Sequence, residues 1–333
     1  MQRRDLGITG LEISALGFGG IPIQRVDFEE TKAIIDKCFE FGINFFDTAR
    51  AYSDSEEKLG YALQGRDKFV ISSKSRERTK EGILQDIDQS LRNLKVEKID
   101  LYHAHFIRDM NVFNQIMSKG GALEGLRQAR DDGKIDYLGF SGHTAEVVKQ
   151  IMESNEFDSV MIPFNFLERD MEDFIDLAKG LGMGVIVMKP LAGGMMRNAP
   201  ASLKFILKRD ISSVIPGMDS PEQVVQNAKI FENLEVSSEE FSELEEEVKR
   251  LDKNFCHRCE YCIPCPNGLD IPLILLYVVY YKNYGLKDWA SGLYDMLEVK
   301  ASNCAKCGAC EQKCPYSMPI RKMLEEAVEI FEK

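Results

Sequence analysis

The chain has 333 residues, a formal net charge of −12 and a pI of about 5.0. That balance argues against a polyanion such as nucleic acid as partner, and the longest apolar run, residues 271–281, is too short to span a bilayer. A soluble protein with room for a large core is expected.

Residues 4–13 place an Ile-Thr-Gly-Leu turn between polar and apolar residues, which reads as a β-hairpin able to plug the floor of a barrel. From residue 15 onward short apolar runs alternate with amphipathic segments. The expected strands are residues 15–21, 44–48, 69–73, 100–105, 137–141, 159–163, 184–188 and 213–216. The expected helices are 29–41, 80–94, 122–131, 145–153, 173–181, 203–208 and 221–231. Eight strands, nearly all followed by a helix, favour a closed α/β architecture, a (β/α)8 TIM barrel, over an open sheet. Cys38, among Ile34, Ile35 and Phe41, reads as a buried apolar residue.

The composition changes near residue 236, where serine caps, an acidic first turn and basic last residues predict an exposed linker helix. The division expected is a barrel over 1–235, a linker over 236–255 and a small, mainly α-helical domain over 256–333. In that last part, residues 272–285, 286–297 and 320–331 read as helices.

Two cysteine runs frame it. CAKCGACEQKCP, residues 304–315, has the C-x2-C-x2-C-x3-C-P spacing of a bacterial-type [4Fe–4S] site, and CHRCEYCIPCP, residues 256–266, spaces its thiols by three throughout and also ends in proline. Four thiolates converging on one small volume are what a cubane requires. Disulfides would need an oxidising compartment, whereas the opening MQRRDLGITG carries no apolar leader, so reduced thiols and a cytoplasmic setting are expected. Paired zinc sites are the stronger competitor, but their C-x2-C halves are usually further apart. The two runs resemble those of two-cluster ferredoxins, in which the fourth cysteine of each run ligates the other cluster. The resemblance implies Cys256, Cys259, Cys262 and Cys314 on one cluster, and Cys304, Cys307, Cys310 and Cys265 on the other. Eight of the nine cysteines are thereby used.

In a barrel of this kind the chemistry sits at the C-terminal ends of the strands. Asp47 and, five residues on, Tyr52 follow the second expected strand; Lys74 follows the third; His105 ends the fourth. Together they make a proton-transfer apparatus. A tyrosine hydroxyl titrates near about 10, and a lysine cation with a histidine donor beside it would bring proton donation within reach of neutral pH. Asp47 would hold the Lys74 ammonium. Each has a plainer reading: a strand-ending aspartate is often a helix cap, a lone tyrosine a core edge, and Lys74 a solvated loop charge.

Six stretches, INFFDTARAY (43–52), SSK (72–74), IDLYHAH (99–105), GKIDYLGFSGH (133–143), KPLAGG (189–194) and IPGMDSPEQVVQN (215–227), occur in the order of the aldo-keto reductase family, which the chain resembles over residues 4–231. The resemblance implies hydride transfer from a nicotinamide to a carbonyl, with Tyr52 as general acid and Asp47, Lys74 and His105 supporting it. The family's D-L-Y-x-x-H spacing selects His105 over His103, which is left as a group behind the site or on its substrate side.

The resemblance implies cofactor contacts at Gly20, Ile21, Ser141, Asn165, Pro190, Leu191, Gly193, Gly217, Gln223 and Asn227, and here the chain departs from its relatives. Where many have Ser-Asn and then Gln around the carboxamide, this sequence has Ser141-Gly142 and Met161, so Asn165 either substitutes or caps its own loop. Gly217 and Gln223 stand where relatives often carry cations for a 2′-phosphate, so NAD(H) or NADP(H) is expected without strong NADPH selectivity. A Gly193-Gly194 pair suits backbone approach to a pyrophosphate. Clusters move single electrons and nicotinamides move pairs, so FMN and a redox partner protein enter as further options beside a small carbonyl or alcohol substrate. The alternatives are a carbonyl reductase with structural or docking clusters, and a non-enzymatic electron carrier or regulatory subunit.

Overall fold

A computed structural model describes residues 1–251, 256, 261–314 and 316–333. Two compact units emerge: residues 1–192 with 198–240, and residues 193–197 with 241–333.

In the first unit, β1 (Arg3–Asp5) and β2 (Glu12–Ser14) form an antiparallel hairpin. Eight parallel strands come after it: β3 (Phe18–Gly19), β4 (Phe45–Asp47), β5 (Val70–Ser75), β6 (Ile99–Ile107), β7 (Ile135–Gly142), β8 (Ser159–Pro163), β9 (Gly184–Met188) and β10 (Ser213–Val214), hydrogen-bonded in sequence order. The edges of this sheet meet. Leu16 bridges Val214 and Gly19 bridges Gly217, both parallel, and Gly17 N donates to Val214 O at 2.9 Å and Gly19 N to Pro216 O at 2.9 Å. The sheet therefore curls on itself, leaving no open edge.

The connecting helices are α1 (Phe28–Glu40), α2 (Ser55–Leu63), α3 (Lys80–Leu94), α4 (Met110–Met117), α5 (Ala122–Asp131), α6 (Ala145–Glu153), α7 (Asp173–Gly180), α8 (Ala199–Leu207) and α9 (Pro221–Lys229). Local chemistry sets their starts. Asp27 and Glu30 form a reciprocal capping box on α1, with both bonds at 2.8 Å, while Thr79 and Ser220 cap α3 and α9. The hairpin fills the end of the barrel where the strands begin. Leu6 and Ile13 pack with Phe45, Val70, Leu101, Met161, Ile186 and Ile215, and Ile8 N donates to Gly182 O just before β9. With that end closed, the opposite mouth is left for chemistry.

α10 (Ser238–Leu251) leads into the second unit, which contains α11 (Ile271–Lys282), α12 (Lys287–Asp295), α13 (Ala309–Lys313) and α14 (Ile320–Phe331). α11 is apolar nearly all round and is buried along most of its length, as expected of the centre of a small helical core. Tyr294 on α12 stacks on Phe331 of α14 with ring centroids 4.4 Å apart, and its hydroxyl accepts from Ala301 N at 2.7 Å. Among the described residues no helix is long and apolar enough to cross a membrane.

Candidate functional site

The parallel register assembles the mouth. Asp47 ends β4 opposite Ser72, and Lys74 on β5 lies opposite His103 on β6, so side chains from three successive strands point to one place. Lys74 Nζ donates to Asp47 Oδ2 at 2.6 Å and to the Thr48 carbonyl at 2.6 Å, and Ser72 Oγ donates to Asp47 Oδ1 at 3.0 Å. Tyr52 lies in the turn before α2, where its backbone N–H donates to Ala49 O at 3.0 Å and its carbonyl accepts from Ser55 N at 2.8 Å. Lys74 Nζ sits 4.9 Å from the centroid of the Tyr52 ring, and the His105 ring meets Tyr52 edge-on at 5.9 Å and 88°. Asp47, Tyr52, Lys74 and His105 are thus brought together.

Burial governs their electrostatics. It pushes the Asp47 carboxyl up and the Lys74 ammonium down, each shift being offset in part by the other group's charge and hydrogen bond. The His105 imidazole is held well below its ordinary value, first by burial and then by the positive charges of Arg76 and Lys74. It is a neutral ring near pH 7, and its Nδ1 has no hydrogen-bond partner among the described residues.

His103 lies one layer deeper. Its Nδ1 is 3.2 Å from Ser72 Oγ and its Nε2 is 3.4 Å from Ser159 Oγ, tying it through Ser72 to Asp47. The ring occupies the space above residue 139, where a Cβ would stand 2.2 Å from His103 Cδ2, so only glycine fits at that point of β7. Burial, and then the Lys74 charge, lower this histidine to about 3.

Most of the expected cofactor contacts lie around β3 and β7–β10 of the barrel. Gly20 N donates to Asp47 O at 2.7 Å, and a Cβ on Gly20 would meet that oxygen at 2.8 Å. Ile21 precedes the 3₁₀ turn of residues 22–25. Ser141 Oγ accepts from Phe106 N at 2.8 Å, where β6 bulges and Phe106 takes φ 57°. Asn165 is completely buried and fully engaged. Its amide nitrogen donates to Glu168 Oε2 and Lys189 O, both at 3.0 Å, while its oxygen accepts from Leu167 N at 2.9 Å and Glu168 N at 2.8 Å. The loop after β8 thus takes up the amide, and no donor or acceptor is left for a carboxamide. Pro190 and Leu191 come after β9. Gly193, at φ 72°, groups with the second unit, where a Cβ would lie 3.3 Å from Val279 Cγ1. Gly217 faces Pro22, Gln223 Oε1 accepts from Asp219 N at 2.8 Å, and Asn227 keeps a buried Oδ1 with no partner among the described residues. That orphaned acceptor is what the amino group of a bound dinucleotide's base would satisfy.

Cys265, Cys304, Cys307 and Cys310 line one small cavity in the second unit together with Pro266, Gly308 and Arg321. This is the set that the two-cluster resemblance implies for one cluster, one thiol from the first run with three from the second. Of the other set, Cys262 is buried, Cys256 and Cys314 are partly buried, and Cys259 lies outside the described residues. Four soft sulfur donors around one cavity suit an iron–sulfur group.

Several residues around the mouth were not anticipated from sequence. Glu56 on α2 is buried and accepts from Ser73 Oγ (2.6 Å), Ser90 Oγ (2.7 Å), Arg50 Nη1 (2.8 Å) and Asn93 (3.0 Å), bracing the strand that carries Lys74. Arg76 and Arg78, directly after β5, stand beside His105; an Arg-x-Arg pair two and four residues beyond a strand-end lysine was the available signal.

The model of the aldo/keto reductase family matches residues 15–201, and that of a 4Fe-4S dicluster domain matches residues 255–318. The chain is 29% identical to L-galactose dehydrogenase of Arabidopsis thaliana over 75% of its own length and 96% of that protein. It is 30% identical to the oxidoreductase YqkF of Bacillus subtilis over 60% of its length and 68% of that protein. Among solved structures, aldo-keto reductase AKR11C1 from Bacillus halodurans superposes with a TM-score of 0.64 at 25% identity, covering 74% of this chain and 96% of that one.

Proposed function

We propose that this chain, which belongs to the aldo/keto reductase family, interconverts a small-molecule carbonyl and its alcohol using NAD(H) or NADP(H), and exchanges electrons through two [4Fe–4S] clusters. When bound at the mouth, the nicotinamide supplies hydride to the carbonyl carbon or takes it from the alcohol. The Tyr52 hydroxyl gives the carbonyl oxygen its proton, and the reverse reaction returns it. The observation that carries this reading is the Lys74 ammonium 4.9 Å from the Tyr52 ring, itself anchored 2.6 Å from Asp47. A fixed cation beside the phenol stabilises the tyrosinate left behind. His105, neutral, orients the carbonyl oxygen by a hydrogen bond without competing as an acid.

Cys265, Cys304, Cys307 and Cys310 would hold one cluster, and Cys256, Cys259, Cys262 and Cys314 the other. Clusters supply one-electron transfer when bound. Cys307 is exposed, which favours exchange with a redox partner protein over a purely structural staple. FMN, on the chain or on that partner, would join pairwise to single-electron chemistry. Thiols kept for iron suit a reducing cytoplasm. The decisive experiment is Tyr52→Phe in anaerobically purified protein. Turnover of carbonyls should fall by roughly two to four orders of magnitude with dinucleotide binding intact; unchanged turnover would move the chemistry elsewhere.

A further inference from the structure

Two guanidinium groups at the mouth have donors that nothing among the described residues satisfies. Arg78 Nη2 donates to the carbonyls of His105 (2.7 Å) and Phe106 (3.1 Å), but its Nη1 is shut off from solvent without a partner among the described residues. Arg76 lies over the Phe106 ring, 5.4 Å from its centroid, and its Nε is likewise buried without a partner. No carboxylate among the described residues pairs with either arginine, although the chain has 54 acidic residues against 42 basic ones. Their charges are felt nearby. The Arg78 guanidinium is lowered to about 10 by burial and then by Arg76, with the more distant carboxylates of Glu77 and Asp109 offsetting part of that shift, and Arg76 is the charge that most strongly opposes protonation of His105.

Stacking like charges beside a catalytic imidazole is unfavourable unless an anion arrives to use them. The wall they share has a defined shape: β6 bulges between Ala104 and Ile107, and Phe106, held at φ 57° by its N–H bond to Ser141 Oγ, packs 4.8 Å from the His143 ring. We infer that the substrate carries a carboxylate, seated by Arg76 and Arg78 beside His105, so that the barrel acts on a keto acid, an aldehyde acid or the matching hydroxy acid. One unsatisfied N–H from each guanidinium matches the two oxygens of a carboxylate. This rests on the hydride-transfer reading above for the reaction, but not for the binding.

The test uses the full-length protein with its clusters. Glyoxylate, succinic semialdehyde and 4-carboxybenzaldehyde are compared with their primary amides, so that chain length varies and charge is the matched difference. At least one acid should exceed its amide about tenfold or more in kcat/KM, the scale of one lost charge-assisted hydrogen bond. Arg76→Met should erase that ratio, chiefly by raising the KM of the acids, while the KM for the dinucleotide stays unchanged. A guanidinium acting only on the Tyr52 hydroxyl would slow acid and amide alike and leave the ratio standing, which would overturn the inference. So would a raised dinucleotide KM in place of the acid effect, since the anion would then be a cofactor phosphate. Calorimetric titration of the same acids into Tyr52→Phe protein separates the two readings. Acid binding there, lost in Tyr52→Phe/Arg76→Met, supports the carboxylate site even if no turnover is ever found; turnover of neutral carbonyls with no acid binding refutes the site and leaves the reductase.

Discussion

Lys74 and Asp47 form an ion pair of 2.6 Å whose side chains are only 2% and 3% exposed, at the point where β4 and β5 end. A pair that deep is held by its own geometry more than by net stabilisation, since desolvation opposes both charges. Removing one partner therefore matters more than removing both. Asp47→Asn should cost about 3–5 kcal/mol in barrel stability and Lys74→Met a similar amount, while the double variant should cost clearly less than their sum. Denaturation of the three variants measures the coupling; strictly additive losses would show that the pair is not a unit. Turnover should fall in all three.

His103 gives the barrel an acid limit. Its folded value is lowered to about 3, against about 6.5 for an exposed imidazole. Between these values the unfolded chain takes up a proton that the folded chain refuses, so stability present above about pH 6.5 is lost as pH falls, by up to roughly 1.4 kcal/mol per pH unit. The buried His105 acts in the same direction. With only four histidines in the chain, an NMR titration can follow each ring. His103 should remain neutral down to about pH 4, and His103→Gln should flatten the acid slope of the melting temperature; titration of His103 near about 6 would contradict the buried placement.

The strands that carry chemistry were legible because they are largely buried apolar runs, and β8 and β9 match their expected limits, Ser159–Pro163 and Gly184–Met188. β3 and β10 are shorter than expected, two residues each, because their outer parts close the barrel through isolated bridges at Leu16 and Gly19. The helix α2 was missed for a physical reason. Ser55, Glu56 and Lys58 are buried alongside Leu59 and Leu63, so polar residues occupy the face that an amphipathic pattern would reserve for apolar ones. The start of α8 was hidden by Pro200, which reads as a breaker yet is tolerated in a first turn. The four-residue constellation of Asp47, Tyr52, Lys74 and His105 came from strand ends and family motifs. The arginines beside it did not, because a charge at a loop start looks solvated until the fold shows what covers it.

The cysteine set lining one cavity leads to a compositional test. Anaerobically purified protein should contain about eight iron and about eight acid-labile sulfides per chain. Cys310→Ala should remove roughly half of each, because Cys310 shares its cavity with Cys265, Cys304 and Cys307. Stoichiometric zinc without sulfide would overturn the cluster assignment.

The 2′-phosphate that distinguishes NADPH from NADH provides the last test. Relatives often place cations at the positions of Gly217 and Gln223, and the structure explains why neither is replaced locally. A Cβ on residue 217 would come within 2.4 Å of Pro22 Cγ, so no longer side chain fits without moving that turn. Gln223 is occupied in capping Asp219 N at 2.8 Å, and Arg25, the cation across from it, pairs with Asp219 at 2.7 Å. A 2′-phosphate would bring about two negative charges to a place whose acidic Asp219 already claims the arginine. NADPH should therefore bind no more than about tenfold tighter than NADH, the equivalent of at most one charge-assisted bond. Gln223→Arg should raise NADPH affinity by about tenfold or more and leave NADH unchanged, since only the phosphorylated ribose would meet the new cation. Fluorescence titration of both dinucleotides into both proteins decides it. A hundredfold preference of the unaltered protein for NADPH would mean that cations elsewhere, such as Lys189 or Arg197, reach the phosphate.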